Sequence, residues 1–219
     1  MPVFDLYVFD LDGTLVDTRR DIAEAVNHVL QLRARPVVDV VTIISWVGDG
    51  LDDMMKRAFQ TDERKLVDEL VGEFRSYYTD HCTDFSYVYE DCSETLTSLH
   101  ERGAHLSVLT NKPKDLSLEL LRRLGLLQHF DHVTGPGDAD LRKPDPSGLL
   151  SLLRDFGTSR ERTLMVGDSR NDVLVARNAG VASCGCTFGY IGRDALLELK
   201  PSYLIESWPE LLLLEGPAS

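Results

Sequence analysis

The chain is short of cysteine, of basic residues and of long apolar runs, and each shortage removes a class of function. Four cysteines in 219 residues do not make a disulfide scaffold, which concentrates them in short secreted chains. Cys184 and Cys186 lie two apart on one expected strand, a spacing that is neither Cys-x-x-Cys nor half of a zinc ribbon. They read as buried free thiols. Six histidines are scattered without His-x-x-x-His spacing, so a zinc site of that kind is excluded. Lysine and arginine number 23 against 36 aspartates and glutamates, a net charge of -13. Nucleic-acid backbones are held chiefly by Lys and Arg, so DNA or RNA binding is excluded as a main task. Any phosphate must be bound locally, against the overall field. No stretch approaches 18 uninterrupted apolar residues, which excludes a spanning helix and makes no membrane partner the expectation. The opening Met1-Pro-Val-Phe-Asp5 lacks a basic region followed by an apolar one. We therefore expect a cytoplasmic protein. At this length the chain holds one good core with room for a small second one; nothing in it speaks to oligomeric state.

The stretch that organises the rest is Val3 to Asp17. An apolar run, Leu6 to Phe9, ends in Asp10 and Asp12, followed by Gly13 and Thr14. This reads as a buried strand that delivers its chemistry at its carboxyl end, the edge where open parallel sheets bind ligands. Side chains repeat every second residue in a strand, so Asp10 and Asp12 should project the same way. Two anions held so close repel by about 4 kcal/mol at ~4 Å and an effective dielectric of ~20. They need a cation or a shared proton. The alternatives at this point are a solvated Asp-Gly turn and a calcium loop. The second fits poorly, because an EF-hand needs glycine at its sixth position and glutamate at its twelfth, where this chain has Leu15 and Asp21.

After Thr14, helical spacing takes over in Asp21 to Leu32, Leu51 to Phe59 and Glu63 to Tyr78. The next convincing strand is His105 to Thr110, about 95 residues beyond the first, whereas a parallel crossover needs only a dozen or more. The economical reading is an inserted α-helical domain at 16–88, with 1–15 and 89–219 forming the other domain. Within the insert, Val47-Gly-Asp-Gly50 breaks the helical pattern. It forms either a loop whose backbone approaches a ligand, through Gly48, Asp49 and Gly50, or the junction of two helices. From Glu90 the rhythm alternates. Asp91 and Glu94 suggest a reciprocal helix cap. Strand His105 to Thr110, helix Lys114 to Leu124, strand His132 to Thr134, a helix from Asp145-Pro146 to Gly157, and strand Thr163 to Val166 follow. A helix to Ala179, strand Ala182 to Cys186, helix Asp194 to Leu199 and strand Tyr203 to Ile205 come next, with Ser207 and Glu210 as a second reciprocal cap. The fold class is α/β, a Rossmann-like, mostly parallel sheet with helices on both faces and an inserted helical domain. No repeat, low-complexity tract or long linker is present.

Three later segments fall just past expected strand ends. Thr110-Asn-Lys112 offers a hydroxyl and backbone N–H groups entering a helix, a natural anion cradle. Lys143 lies in a loop before a helix, and Asp168 and Asp172 flank the start of another. Each has a structural rival: Thr110 as a capping hydroxyl, Lys143 as partner of Asp145, Asp172 as a first-turn acid facing a helix dipole. Arg19 and Arg20 read as solvated, with reach to a substrate carboxylate as the alternative.

Asp10-x-Asp-Gly-Thr-Leu-Val-Asp17, Leu109-Thr-Asn-Lys112, Arg142-Lys-Pro-Asp-Pro146 and Val166-Gly-Asp-Ser-Arg-Asn-Asp172, in this order, resemble the haloacid dehalogenase superfamily over nearly the full chain. Within it the chain is most similar to the phosphoglycolate phosphatase-like members. The helical insert matches that family's helical cap, and Trp46-Val-Gly-Asp-Gly50 resembles its substrate-facing loop. The resemblance implies a Mg2+-dependent phosphatase acting on a small phosphorylated metabolite. Asp10 would be the nucleophile, forming an aspartyl-phosphate. Asp12 would be general acid and then base. The metal would be held by Asp10, the backbone carbonyl of Asp12 and Asp168, with Asp172 supporting it from behind. Thr110, Asn111 and Lys143 would bind the phosphoryl oxygens. The superfamily's dehalogenases lack the second aspartate of the first motif, so Asp12 argues for phosphoryl transfer. Phosphonate cleavage needs a cap lysine, and Lys56 and Lys65 stand in no recognisable context. A phosphoglucomutase-like isomerase and a phospho-acceptor protein without turnover are the other readings. Tyr89-Glu-Asp91, where relatives often have a Pro-Gly turn, and the Cys-Gly-Cys before Phe188 weaken any transfer of substrate identity.

Overall fold

The strand that carries Asp10 is apolar at every position, and that dictates where it lies. β1 (Leu6–Phe9) is buried throughout, with Tyr7 and Phe9 in one apolar cluster and Leu6 and Val8 in another. A strand of this kind must be covered on both faces, as in parallel sheets. It pairs in parallel with β4 (His105–Leu109) on one side and β6 (Thr163–Gly167) on the other, Phe9 standing opposite Val108 and Val166. β5 (His132–Thr134) extends the sheet beyond β4; β7 (Ala182–Cys186) and β8 (Tyr203–Ile205) extend it beyond β6. The order is β5-β4-β1-β6-β7-β8, parallel throughout. The computed structural model describes residues 3–137 and 141–215, so the outermost positions of the expected 1–15 and 89–219 segments, with 138–140, lie outside the described residues.

The alternation of side chains along β1 sends Leu6 and Val8 to one face and Tyr7 and Phe9 to the other, and helices cover both. Leu149 and Leu152 of α7 (Ser147–Phe156) and Val175 and Ala176 of α8 (Arg170–Ala179) cover the face of Leu6 and Val8. Leu96 and Leu99 of α5 (Cys92–Glu101), Leu120 of α6 (Lys114–Arg123) and Trp208 of a 3-10 stretch (Trp208–Leu213) belong to the cluster on the face of Tyr7 and Phe9. α9 (Gly192–Leu199) brings Leu196 against Gly185 of β7. The protein is a Rossmann-like α/β fold.

Just past β1 the chain turns into β2 (Val16–Asp17), which pairs antiparallel with β3 (Tyr87–Val88), Val16 opposite Val88. Four helices run between these two strands: α1 (Arg19–Leu32), α2 (Val40–Ile44), α3 (Leu51–Phe59) and α4 (Arg64–His81). Ile22 and Val26, Met54 and Met55, and Leu70 and Phe74 are their shared apolar interior. Buried Asp21 accepts hydrogen bonds from Phe85 N and from Ser86 N and Oγ, the last at 2.6 Å, and so joins the start of the insert to its end. α4 is also tied to α6, where Arg75 pairs with Asp115 and Arg123 donates to the Asp80 carbonyl.

Several local expectations are corrected. The strands β2 and β3 precede the one expected as the next after β1, and α2 is an additional short helix. Asp91 takes a left-handed conformation (φ 59°) and its side chain makes no cap bond, so the reciprocal cap with Glu94 does not form. The terminal stretch is 3-10 rather than α, and Ser207 Oγ donates to Glu210 instead of capping a backbone N–H. Asp145 does bond to the first N–H of α7, at Ser147, with Pro146 at the N-cap.

Candidate active site

The parallel register brings three strand ends to one edge. Asp10 follows β1, Thr110 follows β4 and Asp168 follows β6, and β1 lies between the other two. The chain runs from β1 to β4 and β5 on one side and returns to β6 on the other, a topological switch point, where open sheets form their ligand crevice. A cavity of about 520 Å³ opens there, with Asp10, Asp12, Thr110, Asn111 and Asp168 on its wall. Gly48 and Gly50 also line it.

Lys143 and Asp172 adjoin Asp10 at this edge. Lys143 Nζ lies 2.9 Å from Asp10 Oδ1 and 2.6 Å from Asp172 Oδ1, with the lysine only 4% exposed. Burial alone would lower the Lys143 pKa, but the two carboxylates overcome it and raise it. The Lys143 backbone is fixed as well: its N–H donates to Asn111 Oδ1 at 2.7 Å, and its carbonyl accepts from Asn111 Nδ2 at 2.8 Å. The rival pairing of Lys143 with Asp145 is not the one made: its ammonium goes to Asp10 and Asp172. Asp172 bonds in two directions. Its Oδ1 meets Lys143, while its Oδ2 accepts from Ser169 N and Oγ at the start of α8.

Asp168 is 1% exposed. Thr14 Oγ1 donates to its Oδ1 at 3.0 Å and Tyr190 N to its Oδ2 at 2.6 Å. A Cβ at Gly13 or Gly189 would overlap the Asp168 side chain, and Gly13 has φ +82° besides, so both positions need glycine for close approach. Burial, with the Asp172 and Asp10 carboxylates nearby, pushes Asp168 well above the usual carboxylate range. Burial also pushes Asp10 up, to about 6, against the opposing pull of Lys143.

Ligand oxygens of Asp10, Asp168 and Asp172 lie within 4.8 Å of one another. Of these three buried carboxylates, two share the Lys143 ammonium and the third has only neutral donors, and their ligand atoms are all hard oxygens. That set fits a divalent cation of the magnesium type and lacks the nitrogen and sulfur donors of a zinc centre.

Asp12 is held differently. Lys112 Nζ donates to both its oxygens, at 2.9 and 3.1 Å, and Thr18 Oγ1 donates to Oδ1 at 2.7 Å. Thr18 Oγ1 lies 2.8 Å from Tyr190 Oη, and with its own proton on Asp12 it accepts the tyrosine's. Lys112 Nζ is also 2.9 Å from Tyr78 Oη of α4. The loop 47–50 reaches the sheet edge through the Gly48 carbonyl, which accepts from Asn111 Nδ2 at 2.7 Å and Asn171 Nδ2 at 3.0 Å. Asp49 points to Asn171 and Arg57 rather than into the cavity. Gly50 (φ +104°) precedes α3.

The groups that sequence reasoning did not single out are Thr18, Tyr78, Lys112, Asn171 and Tyr190. Lys112 and Asn171 stood inside quoted motifs, the only signal they had. Tyr78 and Tyr190 meet the site from elements distant in sequence.

Comparison with known proteins agrees with this geometry. The family model of haloacid dehalogenase-like hydrolases matches residues 7–186. A phosphoglycolate phosphatase of Agrobacterium fabrum is 38% identical over 214 residues, covering 96% of this chain and 91% of that one. One from Vibrio parahaemolyticus is 34% identical over 94% of each chain. The crystal structure of a protein from Haemophilus somnus, described as a predicted phosphoglycolate phosphatase, superposes with a TM-score of 0.90 at 30% identity over 97% of this chain and 98% of that one. The chain belongs to the haloacid dehalogenase-like hydrolases.

Proposed function

We propose that the protein is a Mg2+-dependent phosphatase that hydrolyses small phosphate monoesters through an aspartyl-phosphate at Asp10. Phosphoglycolate, the substrate in its relatives' names, is the first candidate. The observation that carries the reading is the position of Asp10 at the end of the central strand, its carboxylate beside the Lys143 ammonium and within ligand distance of two more carboxylates.

Asp10, the backbone carbonyl of Asp12 and Asp168 would hold the metal, with Asp172 beside them. When bound, it neutralises charge on the phosphoryl oxygens and on the carboxylates around them. The chain's own residues do the rest. Lys143, the Thr110 hydroxyl and the Asn111 N–H bind the phosphoryl oxygens and orient phosphorus toward Asp10. An Asp10 oxygen attacks, the bond from phosphorus to the ester oxygen breaks, and the departing alkoxide takes a proton from Asp12. Asp12, now a carboxylate, removes a proton from water. That water attacks phosphorus and returns Asp10 and inorganic phosphate. Lys112 and Thr18 hold Asp12 at the place where both transfers occur.

The segment 16–88 acts as a lid domain in this reading, its loop 47–50 latched to the floor by Asn111 and Asn171. Such closure excludes water from the first step. A cytoplasmic setting belongs to the same reading, supported by four cysteines that are all free and buried. No helix among the described residues is long and apolar enough to cross a membrane. The test is phosphate release from phosphoglycolate and a panel of phosphorylated metabolites, with and without magnesium. Turnover lost on chelation and in Asp10→Asn supports the proposal; isomer formation without phosphate release contradicts it.

A further inference from the structure

The cavity has two chemically different sides. Its floor carries the carboxylates, Thr110 and Asn111, whereas its roof is built from Val40, Val41, Ile44, Val47, Leu51 and Met54. Ile43 is the one residue of α2 that the protein buries; Val40 is 42% and Val41 81% exposed. Large apolar side chains left in the open beside a polar floor need an apolar occupant to leave water. The cavity is also too large for a two-carbon acid phosphate. Nine heavy atoms, even at the ~30 Å³ each that water takes in the liquid, fill about 270 Å³, roughly half of the 520 Å³ available. That room is present although the Gly48 carbonyl is bonded to Asn111 and Asn171. Among the described residues the cations on the wall are Lys112 and Arg19, and both are engaged, Lys112 by Asp12 and Tyr78, Arg19 by Asp17. The roof therefore offers the body of an ester apolar surface rather than an unpaired charge.

We infer that this chain also hydrolyses phosphate monoesters of apolar alcohols, the alkyl body lying against Val40, Val41, Ile44, Leu51 and Met54. The inference rests on the phosphatase reading above and adds a substrate class to it. The phosphoryl group sits on the same floor, and the same ester bond breaks with the alkoxide taking the Asp12 proton.

The experiment measures kcat/KM with magnesium for ethyl, butyl, hexyl and octyl phosphate, alongside phosphoglycolate. The expected result is a rise of at least tenfold from ethyl to hexyl, since each buried methylene contributes up to about fourfold. In Val41→Asp and Ile44→Asp the ratio of hexyl to ethyl should fall at least fivefold. Val41 is exposed enough that its variant tests the wall without disturbing the core, and a thermal melt checks both. A flat or falling series in the wild-type protein, with ethyl phosphate or phosphoglycolate still hydrolysed, overturns the inference and leaves the phosphatase reading intact. A rising series that both folded variants leave unchanged overturns the assigned wall. No magnesium-dependent turnover of any ester overturns both readings.

Discussion

Lys112 Nζ stands 2.9 and 3.1 Å from the two carboxylate oxygens of Asp12, across 100 positions of sequence, and 2.9 Å from Tyr78 Oη of helix α4. One ammonium thus joins the aspartate proposed to move the proton to a helix of the insert. Its side chain is 6% exposed, so charge-assisted bonds of this kind are not screened as surface pairs are. Lys112→Met should lower kcat by about 10- to 100-fold, a part of the ~10²- to 10⁴-fold that a positioned acid–base group contributes, with KM changed less. Tyr78→Phe should cost only a few-fold. Steady-state kinetics on both variants checks the order.

Lys143 makes the complementary case beside Asp10. Removing one partner of a buried charge group typically costs about 3 to 5 kcal/mol, because the others are left uncompensated. Lys143→Met should therefore lower the urea midpoint of the metal-free protein as well as remove activity. An unchanged midpoint would mean that the ion pairs to Asp10 and Asp172 contribute nothing to the fold.

Asp10 fixes the sign of a pH effect. Burial raises its folded-state pKa to about 6 from the ordinary aspartate value of 3.8. In the metal-free protein its contribution to stability is fully present below that lower value and is lost as pH rises through about 6. A cation binds the ionised form, so magnesium should stabilise more as pH rises through the same window. The magnesium-induced rise in melting temperature should be larger at about pH 7.5 than at about pH 5. It should be abolished in Asp168→Asn.

Gly189 is the most exacting position around Asp168, since a Cβ there would overlap the aspartate's own Cβ and carboxylate. Gly189→Ala should displace that carboxylate by about an ångström and reduce kcat/KM by roughly 100-fold, the scale of such misplacements. Far-UV circular dichroism should be unchanged. An alanine variant of full activity would show that Asp168 need not stand where it does.

The four thiols give a prediction about reactivity. All are free and buried, and burial pushes Cys92 and Cys186 well above the usual thiol range and raises Cys82 and Cys184 as well. The thiolate is the reactive form. Alkylation at neutral pH should be slow in the folded protein and rapid once it is unfolded, as counted by mass spectrometry.

What could be read from the sequence follows from how local each signal is. β1, β4 and β6 announce themselves because an apolar run stops at a polar residue, and those stops are Asp10, Thr110 and Asp168. Their convergence then follows from parallel order alone. β2 and β3 are two residues each, too short for any alternation, and exist because Val16 meets Val88. Asp91 has a capping residue's identity, but its left-handed backbone turns the side chain out of use. The bond of Lys112 to Asp12 was hidden for a different reason. Both residues lay in recognisable motifs, but their contact depends on tertiary placement, as does that of Tyr190 with Thr18.

The most direct test is to quench the protein in acid during turnover with magnesium and to map the phosphorylated peptide by mass spectrometry. The account predicts one phosphoryl group on Asp10, absent in Asp10→Asn. A phosphoryl group carried on any other side chain, or an Asp10→Asn protein that still turns over, would contradict it.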